Sequence, residues 1–215
     1  IKIFLNIGKD SSRGFVLGNL GEIYISACDY EKAFNSLNEA YKLFDQLKNY
    51  HELLDVLFMK GKLFYKIGDF QKLEEIIRNF QKLYTMFDSE KDHIIFEKLL
   101  IQWLSFTKEK TISVEELKSI RNEIALRGDN HNYIEATTLL IHFYIYNKLY
   151  NEAIEILSEQ ELMELCAQYS ILEAEREFFL GIISKNFTSE KLLPPMVYFE
   201  KAYELIKDNN ITELT

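Results

Sequence analysis

An internal repeat of 40 residues is the feature that most narrows what this chain can become. One segment reads Leu17-x-x-Leu20-Gly21-x-x-Tyr24, then Asp29-Tyr30-Glu31-Lys32-Ala33, Leu37 and Ala40. A second reads Leu57, Gly61, Phe64, then Gly68-Asp69-Phe70, Leu73, Ile77 and Phe80. Gly21 and Gly61 are 40 positions apart, and the other matched pairs keep that offset. Further steps give Leu100, Leu104 and Leu117, then Leu140, Tyr144, Tyr150, Ala153 and Leu157, then Leu180 and Gly181. Two extra residues are counted ahead of Phe199 and Ala202, at Leu192-Leu193-Pro194-Pro195. That segment reads as an inter-helix turn followed by a helix that starts on proline.

Within each unit apolar residues recur at three- and four-residue steps, the stripe that a helix buries. Only two prolines and eight glycines interrupt 215 residues, which favours long helices. Sixteen Phe and thirteen Tyr supply rings to fill the space between stacked helices. The expectation is an all-α chain of about five antiparallel helix pairs in one domain over 1–215. The repeats are placed at about 14–53, 54–93, 94–133, 134–173 and 174–209. The small residues Gly21, Gly61 and Gly181 are expected to admit the second helix of their own pair. No single pair can bury its apolar face alone, so stability comes from stacking on the next.

These residues resemble the tetratricopeptide repeat, with its Leu-Gly-x-x-Tyr, then Ala, then an aromatic or aliphatic residue, then Ala. The match is closest in the first repeat and weakest in the third, where Ile101 stands for the glycine and Lys110 for the aromatic. The period of 40 is similar to that of longer variants in bacterial regulators and in scaffold proteins. The resemblance covers nearly the whole chain and implies an α-solenoid coiled into a right-handed superhelix. It also implies that the first helix of each pair lines a concave face. Two inner rows follow, Gly18, Phe58, Lys98, Thr138 and Phe178, and Glu22, Lys62, Gln102, His142 and Ile182. Flanking rows add Phe15, Asp55, Ile95, Glu135 and Glu175, and Asn19, Met59, Leu99, Leu139 and Phe179. The partner-binding residues expected on that face are Phe15, Asn19, Glu22, Phe58, Lys62, Lys98, Gln102, Thr138, His142 and Phe178. Family members that clamp a chaperone C-terminus use Lys and Asn at set inner positions. Asn19 is present, but Lys62 and Lys98 do not complete that arrangement.

Catalytic motifs are not found: no GxxxxGK[ST], GxGxxG, GxSxG or HExxH occurs. His51, His93, His131 and His142 show no metal-ligand spacing. The first three fall near inter-helix links and read as solvated; His142 reads as partly buried and structural. Glu74-Glu75, Glu115-Glu116 and the Glu173, Glu175 and Glu177 series read as solvated faces. Cys28 and Cys166 read as two buried thiols in a reducing compartment. Asn186 and Asn210 match the glycosylation pattern and are read as background.

With a net charge of −9, a pI near 5.1 and five arginines, the chain is a poor binder of phosphate backbones. No stretch of about 18 apolar residues is present to span a bilayer. The reading is therefore a cytoplasmic interaction or sensory scaffold of a regulatory protein, not an enzyme, with no cofactor, metal, nucleic acid or membrane. Its partner is a protein or peptide segment, from another molecule or the same one. The alternative is a receptor for a short signalling peptide or small molecule, with a deep pocket around Phe58, Lys98, His142 and Phe178. Residues 1–8 read as the tail of a preceding helix and 211–214 as the start of a following one, so a longer native chain is expected.

Overall fold

The computed structural model describes residues 2–87 and 93–207, with side chains from residue 9 onward. Among these residues every regular element is helical: α1 (Lys2–Ser26), α2 (Tyr30–Leu47), α3 (Tyr50–Ile67), α4 (Phe70–Phe87), α5 (Ile94–Glu109) and α6 (Val114–Leu126). There follow α7 (Asn130–Tyr146), α8 (Tyr150–Leu157), α9 (Gln160–Gln168), α10 (Ser170–Asn186) and α11 (Pro195–Lys207). The chain forms two compact units, Ile1–Ile120 and Arg121–Thr215. In the first, α1 packs on α2, α2 on α3, α3 on α4 and α4 on α5, and the first helices α1, α3 and α5 also touch in turn. In the second, α7 packs on α8, both α8 and α9 pack on α10, and α10 packs on α11.

The period arises in the links. Cys28, Lys48, Gly68, Gly128 and Lys148 all have left-handed backbones, with φ from 55° to 78°, at positions that differ by 20 or a multiple of it. The next residue in each case sends its N–H back to the carbonyl five positions earlier. These bonds run from Asp29 to Tyr24, Asn49 to Phe44, Asp69 to Phe64, Asp129 to Ile124 and Leu149 to Tyr144, at 2.8–3.3 Å. This is the Schellman closure of a helix C-terminus. Four of those five residues also start the following helix. The side chains of Asp29, Asn49, Asp69 and Asp129 accept from the backbone N–H of Lys32, Glu52, Lys72 and Asn132, at 3.1–3.4 Å. One residue thus ends a helix with its backbone and begins the next with its side chain. Helices α2 and α3 are each 18 residues long, and the two link residues after each complete the 20.

Departures from the period have local causes. Lys110, which stands at the aromatic position in the sequence pattern, is instead the left-handed C-cap of α5. The next helix starts only after Ser113, whose Oγ accepts from Glu116 N–H at 3.3 Å. The second helix of the fourth repeat is broken at Ser158 and Glu159 into α8 and α9, a break the sequence pattern does not announce. The fifth second-helix starts at Pro195, 45 positions after Tyr150, because the link spans 187–194. Its packing register nevertheless slips by two: Gly181 faces Phe199 18 positions on, where Gly21 faces Leu37 16 positions on. Residues 2–8 continue α1 rather than forming the end of a separate helix. The segment 211–214 lies outside the described residues.

Close approach at the glycines is equally specific. A Cβ on Gly21 would meet Leu37 Cδ2 of α2 at 2.5 Å, and one on Gly181 would meet Phe199 Cε1 of α11 at 2.5 Å, so each admits its own partner helix. Gly61 differs from expectation: its Cβ would meet Leu100 Cδ2 at 2.4 Å, so it admits α5, the next first helix, instead of α4. Gly18, in the same helix as Gly21, has open space around its missing Cβ. Replacing Gly18 with Ala should therefore stabilise the first unit by roughly 0.5–1 kcal/mol, by lowering backbone entropy. Gly21→Ala should instead destabilise it by about 1–3 kcal/mol through overpacking on Leu37. Urea denaturation of the two variants checks the opposite signs.

Candidate functional site

Helix–helix packing divides the residues read from sequence as partner-binding into a buried and an accessible set. On α1, Phe15 is half exposed and meets Phe44 edge-on at 5.4 Å, Asn19 is exposed and Glu22 is partly buried. On α3, Phe58 is buried, stacked on Phe96 at 4.4 Å and on Trp103 at 5.8 Å. Trp103 also stacks on Tyr65 at 5.1 Å, giving an aromatic ladder between α3 and α5. Phe58 thus packs between two first helices. Lys62, on the same helix, is 1% exposed.

Gln102 is also buried. It donates from Nε2 to Glu116 Oε2 at 2.8 Å and accepts through Oε1 from Ser113 N–H at 2.8 Å. It fastens α5 to the start of α6, where a first-turn acid is stabilised by the helix dipole. Lys98, half exposed, lies 3.8 Å from the other oxygen of Glu116. Glu116 is thus part of a link, and Glu74, read as solvated, pairs with Lys108.

In the second unit Thr138 is partly buried and lines a shallow recess with Thr137, Ile141, Cys166, Arg176 and Phe179. His142 is exposed and lies edge-on to Phe179 at 5.1 Å, so it is not the partly buried histidine expected. Phe178 is half exposed, 5.8 Å from Phe199. Glu177 corrects the solvated reading of the 173–177 acids. It is 3% exposed and bonded to Arg176 at 3.1 Å and to Lys201 at 2.7 Å. Lys201 also reaches Glu173, at 3.0 Å.

Two arginines that the sequence pattern does not single out hold the break between α8 and α9. Buried Arg121 pairs with Glu159, bonds Tyr133 Oη at 3.2 Å and lies over that ring at 5.2 Å. Arg176 Nε donates at 2.9 Å to the carbonyl of Leu157, the last residue of α8. Carbonyls at a helix end need such partners.

The histidines and thiols differ most from expectation. His51 and His131 are exposed as expected, but His93 is 1% exposed, with Nε2 3.1 Å from Asp55 Oδ1. His51 lies one helical turn before Asp55 on α3 and meets the His93 ring edge-on at 4.4 Å. The donor atoms of His51, Asp55 and His93 all lie within 4.8 Å of one another. Spacing along the chain missed this group because folding brings His93 to Asp55 across 38 residues. Cys166 is buried, but Cys28 is exposed, because it occupies the left-handed link after α1.

Compared with known proteins, the chain matches no family model, and no curated protein matches it. No helix among the described residues is long and apolar enough to cross a membrane.

Burial pushes the Cys166 thiol up to about 11, and a thiol that stays protonated and covered is a poor nucleophile. One equivalent of iodoacetamide at pH 8 should therefore label Cys28 in the native protein. Cys166 should become reactive only in denaturant, as read by peptide mass spectrometry. Equal native labelling of both would contradict the packing around Cys166.

Proposed function

We propose that this chain is a protein-interaction module, a tetratricopeptide-like right-handed solenoid of about five helix pairs within a cytoplasmic regulatory protein. It holds a peptide or helical segment against its first helices and involves no catalysis, nucleic acid or membrane. The 40-residue period and the successive contacts of α1 with α3 and of α3 with α5 support the array.

The observation that carries the binding reading is the face of α1. Phe15, Val16 and Ile23 are 45%, 57% and 57% exposed there, beside Asn19 and Glu22. Residues three, four and seven positions apart share one side of a helix. Large side chains exposed together on such a side are the anchors that an interface uses. The acidic balance of the chain, −9 in all, selects a partner segment with basic flanks. In the second unit, His142 and Phe178 provide a smaller exposed ring surface.

Fluorescence-anisotropy titration with amphipathic peptides of basic and acidic flank composition tests this. The basic set should bind more tightly, and a Val16→Ser/Ile23→Ser variant should bind it at least tenfold more weakly. Its circular dichroism should stay unchanged, because neither side chain is buried. Equal binding of both sets, or no loss in the variant, would contradict the assignment.

A further inference from the structure

We propose that His51, Asp55 and His93 form a binding site for a divalent first-row transition ion of the zinc type. The site joins the start of α3 to the start of α5 within the first unit.

The donor set comes first. Two imidazoles and one carboxylate are nitrogen and oxygen donors of the borderline kind that such ions prefer, whereas magnesium and calcium select oxygen alone. The spacing comes next. An ion bound at about 2.0–2.2 Å to each donor requires donors roughly 3–4 Å apart. His93 Nε2 and Asp55 Oδ1 are 3.1 Å apart, and His51 Nδ1 and Asp55 Oδ2 are 3.9 Å apart. His51 and Asp55 stand at i and i+4 on α3, one above the other on the same side.

The surroundings favour a cation. His93 is 1% exposed, and its Nδ1 has no hydrogen-bond partner among the described residues, so Asp55 is the one polar contact of a buried ring. That is an unusual position for imidazole, whose nitrogens are normally both satisfied when buried. The other side of the group is open: the side chains of His51 and Asp55 are 54% and 38% exposed, leaving room for an ion to enter and for water as a fourth ligand. A second carboxylate, Glu52, lies 3.6 Å from His51 Nδ1. Two carboxylates close to one ring nitrogen favour a positive ion between them. Glu52 approaches the same ring nitrogen that faces Asp55, so it adds negative charge at the site.

The site would add a bond across the α3–α5 interface close to the Phe58 ladder. Ion binding would then stabilise the first unit by mass action.

The test uses the tag-free 215-residue chain after treatment with EDTA. Titration with Co²⁺ should produce visible d–d absorption at about one ion per chain, and Zn²⁺ should displace it and raise the melting temperature. Mg²⁺ should do neither. His51→Ala and Asp55→Asn, both at partly exposed positions, should each weaken Co²⁺ binding by at least tenfold. His142→Ala, in the other unit, should leave the titration unchanged. A wild-type chain that gives no Co²⁺ spectrum overturns the proposal, as does undiminished binding in both cluster variants. Mg²⁺ binding as tight as that of Zn²⁺ overturns the assigned class of ion.

Discussion

A single hydrogen-bonded link, used repeatedly, sets the geometry of the packed helices. The left-handed residue at positions 28, 48, 68, 128 and 148 turns the chain back on itself. The following N–H closes the finished helix onto the carbonyl five residues earlier. Where that following residue is Asp or Asn, its side chain opens the next helix at once. Links this short leave successive helices little choice but to lie antiparallel and in contact. Eighteen helical residues and two link residues fix the period, and the period brings equivalent side chains back to equivalent places.

Packing follows from that recurrence, and so do its exceptions. Gly21 and Gly181 open the space that Leu37 and Phe199 fill within a pair, while Gly61 opens space for Leu100 between successive first helices. The aromatic ladder through Phe58, Phe96 and Trp103 then closes the α3–α5 interface. Where the period fails, polar side chains take over. Gln102 and Ser113 hold the longer link before α6, and Arg121 and Arg176 hold the ends exposed between α8 and α9.

The helices were largely legible in the sequence because Asp29-Tyr30, Asp69-Phe70 and Asn49-Tyr50 pair a capping side chain with an aromatic at a fixed spacing. The left-handed lysines were not, since Lys48, Lys110 and Lys148 carry no glycine signature and take that conformation because the closing bonds require it. The expected binding row was legible only by position along the helix. Phe58, Lys62 and Gln102 are buried by tertiary packing, whereas Phe15, Asn19, His142 and Phe178 stay accessible. The approach of His93 to Asp55 depends on tertiary packing across 38 residues, which spacing arguments do not reach.

The central claim is that these links, and not helix propensity alone, define the repeat. Lys48→Gly and Lys148→Gly, examined by urea denaturation, test it most directly. If both residues are left-handed helix caps, removing the Cβ relieves backbone strain, and each variant should be more stable by about 0.5–1 kcal/mol. If instead the helices run through those positions, each glycine should destabilise the protein by about 1 kcal/mol. That result would contradict the account.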